Sequence, residues 1–138
     1  LQALQALQAS GQIPVLDTTT SLTGTDADGN GVRDDIDKYI ASLPDTAAQK
    51  KALTQMAQGL QTTLTVDTTN PNALAAASLA LNRGDKCIWQ SYTSGQSAKA
   101  LTMEEFTMNT MPRLMAYDLY NAARNGAVVT PASGTVCN

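Results

Sequence analysis

Apolar residues recur at helical spacing over most of the chain. Ile36, Tyr39, Ile40 and Leu43 mark a short helix that Pro44 brings to an end. Thr46 and Gln49 have the spacing of a capping box, and Leu53, Met56, Ala57, Leu60 and Leu64 follow as one apolar face. After a break from Val66 to Asn70, Asn70 can cap and Pro71 can open a further helix. Leu74, Ala77, Leu81 and Ile88 would continue its buried face, with Arg83-Gly84 expected to end or kink it before Cys87. Ser91 to Ser97 reads as a polar loop around Gly95. The next helix is predicted to start at Thr102 as cap, with Glu105 three residues on, and Pro112 should kink it or begin another capped by Asn109 or Thr110. Leu114, Ala116, Tyr117, Leu119 and Tyr120 form a broad apolar arc that stops at Asn125-Gly126.

The ends of the chain depart from this pattern. The opening Leu-Gln-Ala repeat places Leu1, Leu4 and Leu7 near one face, but a period of three drifts around an α-helix. Residues 1–12 are therefore expected to be a frayed helix, a linker or the stub of an interaction segment, separated from the rest by Gly11 and Pro14. Val15 to Gly24 is rich in β-branched residues with no helical stripe, and Ala127 to Cys137 reads as an extended tail. The expectation is one all-α domain over 13–138, a small bundle of four to five helices with an irregular N-terminal arm.

Composition adds limits. A chain of 138 residues suits one domain with a proper core, and 43% hydrophobic content is globular. The six aromatic residues, Tyr39, Trp89, Tyr92, Phe106, Tyr117 and Tyr120, leave that core mainly aliphatic, with methionines filling gaps. The net charge of −3 and scattered Lys and Arg residues provide no footprint for nucleic acid or an anionic membrane. No apolar run approaches a membrane span. Leu rather than Met at position 1 suggests that upstream sequence was removed, and a signal peptide could have stood there. Histidine is absent, which excludes His-based triads and most zinc arrangements. Cys87 and Cys137, the two cysteines, are expected to pair and tether the tail.

One segment carries specific chemistry. Residues 26 to 37 read Asp-Ala-Asp-Gly-Asn-Gly-Val-Arg-Asp-Asp-Ile-Asp, and five of the chain's twelve acids fall there. Asp26, Asp28 and Asn30 can point inward around one hard cation, Gly31 permits the sharp turn, the Val32 carbonyl supplies a further ligand, and Asp34 and Asp37 close the shell. Without a cation, four crowded carboxylates would repel one another. The segment resembles the EF-hand loop, and more closely the loops of thrombospondin type 3 repeats and dockerin-like modules, over twelve residues. It departs from intracellular EF-hands in having Asp37 rather than Glu at position twelve and the charged Arg33 rather than an aliphatic residue at position eight. An entering helix is not expected, whereas Asp34 and Asp35 suit the first turn of an exiting one.

Other candidates read as structure. Glu104 and Glu105 are adjacent and diverge around a helix, so they serve as N-terminal helix charge rather than as an acid/base pair. Trp89, Tyr92, Tyr117 and Tyr120 are assigned to the core rather than to a ligand groove, and so are Met103, Met108, Met111 and Met115. The resulting expectation is a secreted or periplasmic calcium-binding protein, resembling bacterial envelope proteins, with a mainly structural ion and a non-catalytic role. Its partners would be calcium and a protein or cell-envelope component. An enzyme with unrecognised catalytic groups and a calcium-triggered switch are the alternatives.

Overall fold

In the computed structural model, residues 1–127 and 131–138 are described. Among them lie six helices and no strand, so the all-α expectation holds with more helices than the four or five predicted. They are α1 (Gln2–Ala9), α2 (Asp34–Ser42), α3 (Ala47–Thr63), α4 (Pro71–Ser91), α5 (Gln96–Thr107) and α6 (Met111–Arg124).

The centre of the molecule is α3, which packs against α2, α4, α5 and α6. Its start is the capping box read from the sequence: Thr46 Oγ1 accepts from the Gln49 N–H, and Gln49 Oε1 accepts from the Thr46 N–H. All five residues of its predicted apolar face are buried. Helix α4 begins as expected, with Asn70 accepting from the Asn72 and Ala73 N–H groups and Pro71 in the first turn.

Gly84 neither ends nor kinks α4, which runs through it to Ser91. A Cβ at Gly84 would lie 2.8 Å from Met56 Cα, and one at Gly59 would lie 3.0 Å from Leu81 Cα. The two glycines bring antiparallel α3 and α4 into backbone contact, so packing takes precedence over the stop signal.

The strongest predicted helix start is also corrected. Gly95, at φ +72°, caps α5, and Thr102 lies inside the helix, returning its hydroxyl to the Ala98 carbonyl. Glu104 and Glu105 consequently sit in the last turn of α5 rather than the first. Pro112 does begin a new helix after Thr110, and Asn125-Gly126 follows its end as predicted. The apolar arc of α6 is narrower than expected: Tyr120 is buried, but Leu119 is 65% exposed. Of the four methionines assigned to the core, Met103 and Met108 are buried, whereas Met111 and Met115 are exposed on α6.

The irregular ends complete the core. Leu4 of α1, Leu16 and Val32 of the arm, and Ala132 and Val136 of the tail join the main apolar cluster. Gln8 Oε1 accepts from the Leu16 N–H, fixing α1 to the arm. Cys87 and Cys137 form the expected disulfide, with Cα atoms 5.0 Å apart. Gln55 donates to the Val136 carbonyl and accepts from the Asn138 N–H, so the end of the tail is held by hydrogen bonds as well. Of the segment predicted to be extended, residues 128–130 lie outside the described residues, and 131–138 contain neither helix nor strand. No described helix is long and apolar enough to cross a membrane.

Candidate metal site

The loop from Asp26 to Asp37 leads from the arm into α2, and no helix enters it directly, since α1 ends at Ala9. Side-chain oxygens of Asp26, Asp28 and Asp34 lie within 4.8 Å of one another. Local hydrogen bonds impose that convergence. Asp26 accepts from the N–H groups of Asn30 and Gly31, Asp28 also accepts from Asn30, and Asp34 Oδ1 accepts from the Ala27 N–H. Gly31, at φ +85°, makes the turn that points these amides inward. From outside, Gln58 of α3 donates to the Asn30 carbonyl at 2.8 Å.

Asn30 and Asp37 engage each other. Asn30 Nδ2 donates to Asp37 Oδ2 at 2.8 Å, and Asn30 Oδ1 accepts from the Val32 N–H. The Val32 side chain is buried in the core, so this residue ties the loop to the bundle. Burial raises the Asp37 carboxyl above its usual range, and the charges of Asp28, Asp26 and Asp34 add to the rise despite the bond from Asn30. For Asp26, burial acts upward but is outweighed by accepted hydrogen bonds, led by the Gly31 N–H, and the carboxyl lies low. The donors are all oxygen, the composition that suits calcium or magnesium rather than a soft metal.

The fifth acid of the loop faces elsewhere. Asp35 takes two hydrogen bonds from Arg33, through Nε at 2.8 Å and through Nη2, and one from the Asp17 N–H. Arg33 is 1% exposed and also donates to the carbonyls of Phe106 and Thr107 and to Asn109 Oδ1. That same Asn109 oxygen accepts from Arg113, which is fully buried and donates to the Asp17, Ser21 and Leu22 carbonyls and to the Asp17 carboxylate. Two cations, Arg33 and Arg113, thus face two anions, Asp35 and Asp17, around one amide.

This cluster fastens the arm and the loop to the junction between α5 and α6. Burial and the neighbouring Arg33 charge lower the Arg113 pKa, against the pull of Asp17. At Asp17 burial works upward, but bonds from Thr19, Thr25 and Arg113 prevail and hold the carboxyl far below its usual range. Neither arginine was singled out as functional by sequence reasoning, although Arg113 left one trace. It is a cation in the first turn of α6, against the helix dipole, which calls for a tertiary partner.

The aromatic residues divide. Tyr92 and Tyr120 are buried as expected. Trp89, assigned to the core, is instead 52% exposed, because its position on α4 faces a groove rather than α3. Comparison of the chain with protein-family models, curated proteins and solved structures gives no match, so its functional reading rests on residues and geometry.

Proposed function

We propose that residues 26–37 hold one calcium ion, that the ion is structural, and that the chain is a non-catalytic module of an oxidising, extracytoplasmic compartment. The observation carrying this reading is the convergence of the Asp26, Asp28 and Asp34 oxygens. Their charges are uncompensated by any ion pair among the described residues, so a divalent cation would relieve the repulsion. Asn30, Asp37 and the Val32 carbonyl would complete the shell, with Asn30 and Asp37 exchanging their mutual bond for the ion.

A structural role follows from the loop's surroundings. Arg33 ties the exiting end of the loop to residues 106–109, Asp35 ties it to the arm at the Asp17 N–H, and Gln58 ties its middle to α3. An ion there would stiffen one corner of the bundle, whereas a sensor of the paired-helix type opens two helices flanking the loop. The Cys87–Cys137 disulfide agrees with a secreted or periplasmic setting.

Thermal melting with calcium and with chelator tests the proposal. With a dissociation constant of about 10⁻⁴ M, a hundredfold excess of calcium adds about 2.7 kcal/mol, raising Tm by roughly 5 to 15 °C. The Asp26→Ala/Asp28→Ala variant should show no such rise. Equal melting of the parent chain in calcium and chelator would sink the calcium reading.

A further inference from the structure

A second site lies apart from the loop, in a groove where α4, α5 and α6 meet over Met56 of α3. Its volume is about 570 Å³, within the range of small-molecule sites. Two carboxylates, Asp85 and Glu104, and two aromatic rings, Trp89 and Tyr117, line it together with Asn82 and Leu101. No Lys or Arg is among the lining residues.

These groups are unusual in what they leave unmet. Asp85 forms no ion pair among the described residues, and burial raises its carboxyl with no opposing partner. Glu104 has only a long contact, 3.4 Å, from the Tyr117 hydroxyl. Of the cations near it in the chain, Lys86 donates to the Ala132 carbonyl, Lys99 pairs with Asp45, and Arg83 lines a different groove beside Gln58 and Gly59. Trp89 presents its indole at the groove although the interior has few other large side chains. Tyr117 is backed by Tyr120, whose ring is stacked 6.1 Å away, giving a fixed aromatic wall.

We propose that this groove binds a small organic cation, an ammonium group on an aliphatic skeleton, between the Asp85 and Glu104 carboxylates and the faces of Trp89 and Tyr117. Both carboxylates attract the positive charge, the electron-rich ring faces attract it further, and Leu101 with the aromatic rings covers the carbon skeleton. A soft metal is disfavoured by the lack of nitrogen or sulfur ligands. An anion would meet two like charges. The site is independent of the proposed calcium loop.

Trp89 is the chain's one tryptophan, so its fluorescence reports on this groove directly. Titrating the full chain at neutral pH and saturating calcium with putrescine, and separately with choline, should give a saturable change in emission. Sodium chloride at matched ionic strength should give none. Asp85→Asn and Glu104→Gln should each weaken binding about tenfold, and the double variant should abolish it. Asp118→Asn, at an exposed acid of α6 outside the groove, should bind like the parent.

A comparison within the parent chain needs no variant to fold: the uncharged carbon isostere of choline should fail where choline succeeds. Absence of saturation for both amines into the tens of millimolar, equal binding of the isostere, or an unchanged response in a folded double variant overturns the proposal. A response to an uncharged disaccharide but not to the amines overturns it in favour of a sugar site. The same titration in Asp26→Ala/Asp28→Ala should be unaltered, so loss of calcium binding and loss of amine binding are separate outcomes.

Discussion

Arg33 shows how a single residue changes the meaning of its surroundings. By sequence it is a charged departure at loop position eight, yet its guanidinium is among the most buried groups in the protein. Its acceptors beyond the loop are 73 to 76 positions away, so local spacing gives no warning of them. The Asp26, Asp28 and Asn30 pattern was legible for the opposite reason: its geometry is set within five residues by amides that follow from Gly31. Arg33→Met keeps much of the volume but leaves Asp35 facing Arg113 and Asp17 without its bidentate partner, and takes the Arg33 bonds from the Phe106 and Thr107 carbonyls, while Asn109 Oδ1 keeps its bond from Arg113. Breaking such a buried pair costs about 3 to 5 kcal/mol, and a urea midpoint measured in saturating calcium should fall accordingly. Arg33→Lys should recover little, because one ammonium cannot reproduce the planar five-donor fork.

At the scale of elements, two threonines separate a helix start from its imitation. Thr46 and Gln49 form a real capping box because Pro44 has already broken the preceding helix and left Thr46 extended. Thr102 and Glu105 have the same spacing, but Gly95 starts the helix about two turns earlier and Thr102 never leaves it. The glycines repeat the lesson. Gly84 follows a cation in a helical run, the usual form of a stop, whereas its role is to admit the backbone of α3 at Met56. Gly84→Ala therefore sets two effects against each other. Alanine gains about 1 kcal/mol of helix propensity, but its Cβ would meet backbone at 2.8 Å, an overpacking that costs about 1 to 3 kcal/mol. Because backbone cannot rotate aside, the clash should win, and calorimetry should record a lower Tm for the variant.

For the whole molecule, the decisive feature is that both chain ends are built into the core. The disulfide closes a separation of 50 residues, and Gln55 and Lys86 hold the tail on either side of it. In the chain-entropy model that closure contributes about 4 kcal/mol. The Cys87→Ser/Cys137→Ser variant should accordingly unfold at lower urea, while circular dichroism before the transition remains helical, since α3 and α4 pack independently of the tail. The sequence by itself determined the helical class, the starts of α3 and α4, the cysteine pairing and the order of the Asp and Asn side chains along the loop. Each depends on residues close along the chain or, for the cysteines, on there being just two. Only the tertiary structure decided that Gly84 is a contact and not a stop, that Arg33 and Arg113 are interior, and that Trp89 opens onto a groove. Those outcomes depend on which distant surfaces meet, and neither hydrophobic period nor capping chemistry records that.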